Sequence, residues 1–309
     1  MVNNVKRANG QFYTQKNPFQ LKPFRDWAKK AKTIKYSILE PFAGENNLIK
    51  FLIKEGLCKH YESFDIMPGS TDVKKRDTIK HFPSGYEVCV TNPPWIAKNS
   101  ATRRGLPYPN THYDNVYKLA LEKCIDNCSY IAALVPESFI RSELFLERLD
   151  SFISLTGEFF DETEQPVGLA MFSKNNTEDV NIWQNNKFIG TLNEIAKFRP
   201  PFSDDKSIRF NDPDGNLGLI ALDSHESANI RFCPVKELEN YEVKDHGRHI
   251  TKLHTPFKIK IDDYNKVINE FRKKTYDVLL TSYRGLRKDG LYRRRLDWQL
   301  ARDVVKYVA

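Results

Sequence analysis

The first half of the chain alternates short apolar runs with polar turns and helix-like segments, and this alternation restricts the fold most. Residues 37–40, 61–66, 86–90 and 129–135 read as strands. The last of these is a continuous apolar run, as expected for a strand buried on both faces. Residues 47–53 place apolar side chains at helical spacing. Repeated strand, turn and helix predicts an α/β fold with a mostly parallel sheet, in which ligands bind outside the carboxyl ends of the strands.

The pattern changes after about residue 175, where Pro200-Pro201 and other turn residues separate short segments. Further helices are predicted at residues 113–126, 139–153, 264–276 and 291–307. We therefore predict two regions, residues 1–175 and a smaller, irregular region at 176–309.

Charge is distributed unevenly along the chain, whose net charge is +8. Residues 1–150 carry 23 basic and 16 acidic side chains, residues 151–243 carry 8 and 16, and residues 244–309 carry 17 and 8. A strongly basic end favours a polyanionic partner. The five scattered cysteines indicate a reducing compartment, so we expect a cytoplasmic protein. No apolar run is long enough for a membrane helix, and we expect no membrane partner.

The motif Asn92-Pro93-Pro94-Trp95 follows a predicted strand. Its two prolines remove two backbone donors and fix two φ angles, and the residue before each proline is held extended. The loop is therefore stiff, and it holds the Asn92 side chain and the Pro93 carbonyl, both hydrogen-bond acceptors, at a strand end. Such a pair suits a substrate amino group, and Trp95 offers a flat apolar face for a planar ring.

This motif resembles the catalytic motif of amino-group DNA methyltransferases, which methylate the exocyclic nitrogen of adenine or cytosine. Other stretches resemble the motifs of the same family in the gamma order: residues 10–14, 40–48, Asp65, Asp77 and 132–139. The resemblance covers roughly residues 10–175. It implies a Rossmann-like class I methyltransferase domain at residues 1–175 and a target-recognition region at residues 176–309.

The resemblance further implies S-adenosylmethionine as the cofactor, with no metal required. Asp65 would contact the ribose hydroxyls, and Asp77 would lie near the adenine ring. The residues implied for cofactor binding are Phe12, Tyr13, Thr14, Glu40, Pro41, Phe42, Ala43, Gly44, Asn46, Asp65, Asp77 and Asn92. Asn46 stands where the family usually has a second glycine. Because Asn adopts positive φ more readily than other non-glycine residues, we expect this turn to be retained.

The implied reaction is methyl transfer to the N6 nitrogen of adenine in duplex DNA, with Asn92, Pro93, Pro94 and Trp95 forming the catalytic motif. A base inside a duplex cannot reach such a site, so the target nucleotide would be flipped out. Trp95 would stack on one face of the base. The second face is left open between residues 159–160 and 166–169.

Several alternatives share the motif. Methyltransferases that act on cytosine N4, on RNA bases or on protein glutamine present similar amino-group geometry, and a catalytically impaired DNA-binding subunit is a further alternative. The size and basic end of residues 176–309 favour double-stranded DNA. We expect the modification enzyme of a restriction-modification system, with a paired restriction endonuclease as a functional partner, or an orphan equivalent, and we expect a monomer or weak dimer.

Residues 244–309 interleave cations with aromatic rings, an arrangement that suits phosphate contact and base-edge reading. A solvated helix face with aromatics on the other side would look similar. Attached to the predicted catalytic domain, DNA contact is the favoured interpretation. The predicted DNA-binding residues are Arg284, Arg287, Lys288, Arg293, Arg294 and Arg295.

Overall fold

The structure is a computed structural model that describes residues 14–157, 159–160, 164–244 and 246–309. Phe12 and Tyr13, which were predicted to bind the cofactor, lie outside the described residues. The chain divides into two compact units, one ending at Phe188 and one beginning at Ile189.

The first unit is built on a large sheet with strand order β3-β2-β1-β4-β5-β7-β6-β8-β9, whose edge strand β9 crosses the boundary at Phe188. Its strands are β1 (Ser37–Glu40), β2 (His60–Asp65), β3 (Lys74–Lys75), β4 (Val88–Thr91), β5 (Tyr130–Pro136), β6 (Leu149–Ser154), β7 (Val167–Phe172), β8 (Asn181–Gln184) and β9 (Lys187–Thr191). The pairs β3–β2, β2–β1, β1–β4 and β4–β5 are parallel, whereas β7 runs antiparallel to both β5 and β6. This confirms the predicted Rossmann-like α/β fold with a mostly parallel sheet.

The helices of this unit precede the first strand or connect later strands along the chain. The α-helices are Lys22–Ala31, Asn47–Lys54, Lys98–Arg103 and Val116–Asn127, and short 3-10 segments cover Pro18–Gln20 and Glu137–Ser142. The helix Lys22–Ala31 buries one apolar face in the core, where the Trp27 indole donates a 3.0 Å hydrogen bond to the Phe172 carbonyl. The core is completed by fully buried strand residues such as Ile38 and Ala132.

Because β1 lies between β2 and β4, the direction of strand addition reverses between β1 and β4. In open parallel sheets such a reversal opens a crevice outside the carboxyl ends of the two strands, and ligands bind there. The fold thus places the residues after Glu40 and Thr91 beside the same crevice.

The helix predicted at residues 139–153 is wrong. After the short 3-10 segment Glu137–Ser142, residues Glu143 and Phe145 adopt φ of 55° and 58°, which no α-helix tolerates. The side chain of Arg148 then donates hydrogen bonds to the carbonyls of Ile125, Cys128, Ser129 and Ser173. The following residues therefore enter the sheet as β6, paired with β7 and β8.

The second unit contains two small antiparallel sheets and three helices within its described residues. One sheet has the order β10-β13-β11-β12, formed by Arg209–Phe210, Ile250–His254, Leu217–Ile220 and Arg231–Cys233. The other is a hairpin of β14 (Thr281–Leu286) and β15 (Tyr292–Arg295). The α-helices are Leu192–Ala196, Ile261–Thr275 and Trp298–Val308, with a 3-10 segment at Val235–Asn240.

The predicted helix at residues 291–307 is only partly present. Residues 292–295 form β15, and the helix begins at Trp298 behind an Asp297 cap whose side chain accepts a hydrogen bond from Leu300 N. Pairing with β14 overrides the helical pattern, and Leu296 N also bonds to the Ala221 carbonyl beside the first small sheet.

Candidate active site

The carboxyl ends of β1, β2 and β4 border one cavity of about 630 Å³, a usual size for a small-molecule site. Its lining includes most of the residues predicted to bind the cofactor. These are Thr14, Glu40, Phe42, Ala43, Gly44, Asp65, Asp77 and Asn92. Pro94 of the predicted catalytic motif also lines it.

The loop after β1 is fastened to the end of β2 by Asp65. One carboxylate oxygen of Asp65 accepts a 2.8 Å hydrogen bond from Gly44 N, and the other accepts a 2.7 Å hydrogen bond from Met67 N. Gly44 adopts φ of 52°, so its backbone turns sharply enough to point the N–H at the carboxylate. Burial raises the pKa of Asp65, against the two backbone hydrogen bonds.

Asn46 adopts φ of 63°, which confirms the expectation that Asn can serve this turn in place of glycine. Its side chain is fully buried: the amide donates a 2.6 Å hydrogen bond to Asp72, and the amide oxygen accepts a 2.8 Å hydrogen bond from Ser63. Asn46 therefore stabilises the loop through these two hydrogen bonds and does not line the cavity.

Glu40 is buried at the floor of the cavity. Its Oε1 accepts hydrogen bonds from the Thr91 hydroxyl at 2.6 Å and from Phe42 N at 3.0 Å. Burial raises the pKa of Glu40 to about 8, although both hydrogen bonds act to lower it. A cationic ligand group in the cavity would compensate the charge of this carboxylate.

Asp77 belongs to the segment that follows β3. Burial acts to raise its pKa, but the hydrogen bonds and charge of Lys80 outweigh burial and hold the pKa of Asp77 below its ordinary value. The neighbouring Thr78 hydroxyl donates a 2.8 Å hydrogen bond to the Pro41 carbonyl. This bond holds the Asp77 segment against the loop after β1, and it gives Pro41 a structural contact outside the cavity lining.

The predicted catalytic motif follows β4, and its four residues have different surroundings. Asn92 and Pro94 line the cavity, whereas Pro93 is buried. Trp95 packs against the core and meets Phe160 edge-to-face, with ring centroids 5.2 Å apart and planes at 89°. Trp95 was expected to stack on the substrate, but among the described residues it is not part of the cavity lining.

Several lining residues were not predicted from the sequence, and two groups of them are informative. Ile66 and Met67 follow Asp65 and are 55% and 54% exposed, which is unusual for large apolar side chains beside a buried strand. The segment 106–110, with the sequence Leu-Pro-Tyr-Pro-Asn, lines the cavity from beyond the helix Lys98–Arg103. Two prolines around a tyrosine shortly after the Asn-Pro-Pro-Trp motif were the available signal.

The donor set fits S-adenosylmethionine. Buried carboxylates at Glu40 and Asp65 and a third carboxylate at Asp77 suit a ligand that carries cationic groups and a ribose diol. The apolar chains of Ile66 and Met67 suit the flat face of an adenine ring. Within the described residues, no cluster of three or more His, Cys, Asp or Glu side chains is arranged to hold a metal ion.

The predicted DNA-binding residues lie on or beside the β14–β15 hairpin of the second unit. Along β15, Arg293 and Arg295 are half-buried, whereas Tyr292 and Arg294 are buried. Buried and half-buried side chains alternate along β15 because successive strand side chains point to opposite sides of the sheet. Arg284 and Lys288 are exposed, and the latter forms an ion pair with Glu226.

Arg293 is held in place on the outer face of this hairpin. Its guanidinium lies 5.3 Å from the Tyr283 ring centroid, its Nε donates a 2.8 Å hydrogen bond to the Asp223 carbonyl, and Nη1 is 3.0 Å from His225 Nε2. The His249 ring meets the Tyr283 ring edge-to-face, with ring centroids 5.2 Å apart. Burial, followed by the nearby charges of Arg295 and Arg293, lowers the pKa of His249.

Arg287 belongs to the interior. Its side chain is 4% exposed and forms ion pairs with Asp223, Asp277 and Asp289, at 3.0, 3.4 and 2.8 Å. Burial acts to raise the pKa of Asp223, but hydrogen bonds and charges from Arg272 and Arg287 outweigh it and lower that pKa. Arg294 is 3% exposed. Arg287 and Arg294 were predicted to contact DNA, but in the structure both side chains are buried, which leaves little surface for a phosphate.

No protein-family model matches the chain, and no curated protein matches it. Solved structures with a similar arrangement include a protein described as the modification subunit of a type I restriction enzyme from Vibrio vulnificus YJ016, at 16% identity and a TM-score of 0.39, covering 60% of this chain and 49% of that chain. A type I restriction-modification methyltransferase subunit from Streptococcus thermophilus aligns at 14% identity and a TM-score of 0.38, covering 60% of this chain and 52% of that chain. The M protein of the type I restriction enzyme EcoKI aligns at 13% identity and a TM-score of 0.39, covering 59% of this chain and 50% of that chain. The chain thus spans about half the length of each of these structures.

Within the described residues, no helix has the length and apolar character needed to cross a membrane.

Proposed function

We propose that this chain is an S-adenosylmethionine-dependent DNA methyltransferase that methylates the exocyclic N6 of adenine. The observation that carries the proposal is that Glu40, Asp65 and Asp77 line the same cavity as Asn92 and Pro94. The three carboxylates, which suit a cationic cofactor, and the stiff loop that carries hydrogen-bond acceptors thus line one cavity where the strand order of the sheet reverses. Methyl transfer to an amino group requires the cofactor and the amino group to be held close together.

The cofactor supplies an electrophilic methyl group on a sulfonium, and the residues of this chain position its partner. The Asn92 side-chain oxygen and the Pro93 carbonyl would accept the two hydrogens of the target amino group. Holding both hydrogens draws the nitrogen lone pair out of conjugation with the ring and aims it at the methyl group. Because the prolines stiffen the loop, these acceptors are already in position before the substrate binds.

The carboxylates Glu40 and Asp65 suit the cationic groups and the ribose of the cofactor. Glu40 has a pKa of about 8 because it is buried, so bringing a cation into the cavity favours its ionised form. Asp65 keeps lone pairs for ribose hydroxyls beside those that accept from Gly44 and Met67. Phe12, Tyr13 and Thr14 remain proposed contacts to the methionine moiety.

DNA as the substrate is proposed from the basic hairpin of the second unit and from the resemblance noted in the sequence. Arg284, Lys288, Arg293 and Arg295 present cations together with the Tyr283 ring, the combination that suits phosphates and bases. In this proposal residues 1–175 bind the cofactor and perform the chemistry, and residues 176–309 recognise the target. The target adenine is flipped out of the duplex, and a restriction endonuclease is a proposed functional partner.

The decisive experiment is transfer of tritium from methyl-labelled S-adenosylmethionine to unmethylated DNA, RNA and protein in parallel, followed by nucleoside analysis of the product. Recovery of labelled N6-methyladenine from DNA is the expected result. Label in N4-methylcytosine would correct the base, and label in RNA or protein alone would overturn the assignment to DNA. Absence of transfer together with absence of cofactor binding would overturn the methyltransferase function altogether.

A further inference from the structure

A long segment of the chain begins shortly after the Asn92–Trp95 motif, and its two ends are hydrogen-bonded to each other. Lys98 N donates a 2.8 Å hydrogen bond to the Asp114 carbonyl, and Val116 N donates a 3.0 Å hydrogen bond to the Ile96 carbonyl. A β-bridge joins Ala97 to Asn115. Residues 98–114, called the excursion from here on, therefore leave and rejoin the fold beside the catalytic motif.

The excursion folds back over the cavity. Its residues 106–110 line the same space as Asn92 and Pro94. The half-buried ring of Tyr108 stands between Pro107 and Pro109, which restrict the backbone on both sides. Its hydroxyl donates a 3.1 Å hydrogen bond to the Tyr113 carbonyl.

That second tyrosine ties the excursion to a regular element. The Tyr113 hydroxyl donates a 2.9 Å hydrogen bond to Glu122 on the helix Val116–Asn127, and the Tyr113 ring is buried. The position of Tyr108 is thus set by two prolines and by a hydrogen-bonded chain that ends on a helix. An aromatic ring held in this way loses little conformational entropy when a ligand stacks on it.

Among the described residues, Phe42 and Tyr108 are the aromatic side chains that line the cavity. Phe42 lies in the loop after β1, between the carboxylates Glu40 and Asp65 that suit the cofactor. Tyr108 lies on the chain segment that returns to the Asn92 loop. Trp95, the ring expected to meet the substrate, lies edge-to-face with Phe160 and is not in this lining among the described residues.

We propose that the Tyr108 ring is a stacking face for the target base. The inference rests on the proposed function, and it places an aromatic contact to the base on the excursion. Base–aromatic stacking tolerates any base, so Tyr108 would hold the ring while the Asn92 loop selects an amino group. Tyr108 is then a substrate-contacting residue that sequence reasoning did not identify.

The charge of the excursion agrees with this role. Lys98, Arg103 and Arg104 are exposed along its first half, on and directly after the helix Lys98–Arg103. Phosphates that flank an inserted nucleotide would therefore meet cations on the same segment that carries the ring.

The test compares Tyr108→Ala and Tyr108→Phe in the full chain, with Tyr307→Ala as a control at a tyrosine that is 61% exposed on the last helix. Three quantities are measured for each: kcat/KM for unmethylated DNA by tritium transfer, the Kd of S-adenosylhomocysteine by calorimetry, and the urea midpoint of unfolding. We expect Tyr108→Ala to lower kcat/KM by at least about fivefold, the lower end of one base–aromatic stack. The cofactor Kd should stay unchanged, and Tyr108→Phe should stay near wild type.

Other outcomes would overturn the inference. A weaker cofactor Kd with unchanged kcat/KM for DNA in Tyr108→Ala would place the ring in the cofactor half of the cavity. Equal loss in Tyr108→Phe and Tyr108→Ala would show that the hydroxyl bond to Tyr113 matters and the ring does not. A wild-type protein that transfers to no substrate would remove the proposed function itself, before any variant is compared, and the inference would fall with it.

Discussion

The Thr91 hydroxyl donates a 2.6 Å hydrogen bond to Glu40 Oε1 and so joins the ends of two neighbouring parallel strands. Burial raises the pKa of Glu40 to about 8, so the side chain is largely neutral at pH 7 in the protein alone. A cationic ligand favours the ionised form. We therefore expect the affinity for S-adenosylhomocysteine, whose amino group is cationic, to rise between pH 6 and 8.5. Calorimetry in buffers of different ionisation enthalpy should detect proton release at pH 7.

The matched variant is Glu40→Gln, which keeps the size of the side chain but cannot ionise. Because the pKa of Glu40 is raised in the folded state from its ordinary value of 4.5 to about 8, its contribution to the free energy of unfolding is lost as the pH rises between these two values. The cofactor-free variant should therefore lose less stability than wild type between pH 5 and 8, and its ligand affinity should lose the pH dependence. An equally steep affinity profile in both proteins would contradict this account of Glu40.

Asn92→Ala should abolish methyl transfer while leaving the cofactor Kd within about threefold of wild type. The expected loss in kcat is at least about 100-fold, because a positioned polar group that acts on the developing charge is worth that much. Single-turnover tritium transfer and calorimetry measure the two quantities separately. Normal turnover by Asn92→Ala would refute the proposed role. A loss of cofactor binding alone would instead move Asn92 to the cofactor half of the site.

Two substitutions at Asn46 distinguish the cost of backbone strain from the cost of lost side-chain hydrogen bonds. Asn46→Ala removes the hydrogen bonds to Asp72 and Ser63 and leaves a Cβ at φ of 63°. We expect it to lower the free energy of unfolding by about 3–4 kcal/mol, from about 1 kcal/mol for each of the two bonds and about 1–2 kcal/mol for the left-handed conformation. Asn46→Gly loses the same bonds without the strain and should be about 1–2 kcal/mol less destabilising. Urea unfolding measures both, and equal losses would contradict the role of the backbone conformation.

On the hairpin, Arg293→Ala with Arg295→Ala should weaken DNA binding and lower the slope of log K against log salt by about 0.9 for each phosphate that the variant no longer neutralises. The charge-matched control is Lys266→Ala with Lys273→Ala, two exposed cations on the helix Ile261–Thr275. Salt-dependent fluorescence anisotropy with labelled duplex DNA measures the slope. An unchanged slope in the hairpin variant would show that this face does not contact phosphates.

Arg287→Ala should behave differently from the hairpin variant. The Arg287 guanidinium forms ion pairs with three carboxylates, and one of them, Asp223, is fully buried. Removing one partner of a buried ion pair costs about 3–5 kcal/mol when the other charge is left unpaired. Asp223 keeps its ion pair with Arg272, so the loss should be smaller, and the main effect should be a lower midpoint of unfolding. At a temperature where this variant is folded, the salt slope for DNA should stay at the wild-type value. A lower slope with unchanged stability would return Arg287 to the DNA surface.

Local sequence patterns predicted the strands that carry the site. Continuous apolar runs and their polar turns located β1, β2, β4 and β5 to within two residues of their observed bounds. The helix predicted at residues 139–153 was wrong, because periodicity does not register the turns at Glu143 and Phe145 or the sheet partners that capture β6. Strand pairing depends on residues far away in the chain, and a short apolar run suits either structure.

By itself, the sequence determined the fold class, the strand ends and the identity of the acidic and Asn-Pro-Pro groups, since these follow from residue spacing and from backbone restrictions that act over a few residues. Only the tertiary structure decided which of these groups share a cavity and which side chains are accessible. It turned Trp95 against Phe160, placed Tyr108 in the cavity and buried Arg287 among aspartates. Exposure and proximity are set by packing between distant segments, and charge or aromaticity at one position does not specify that packing.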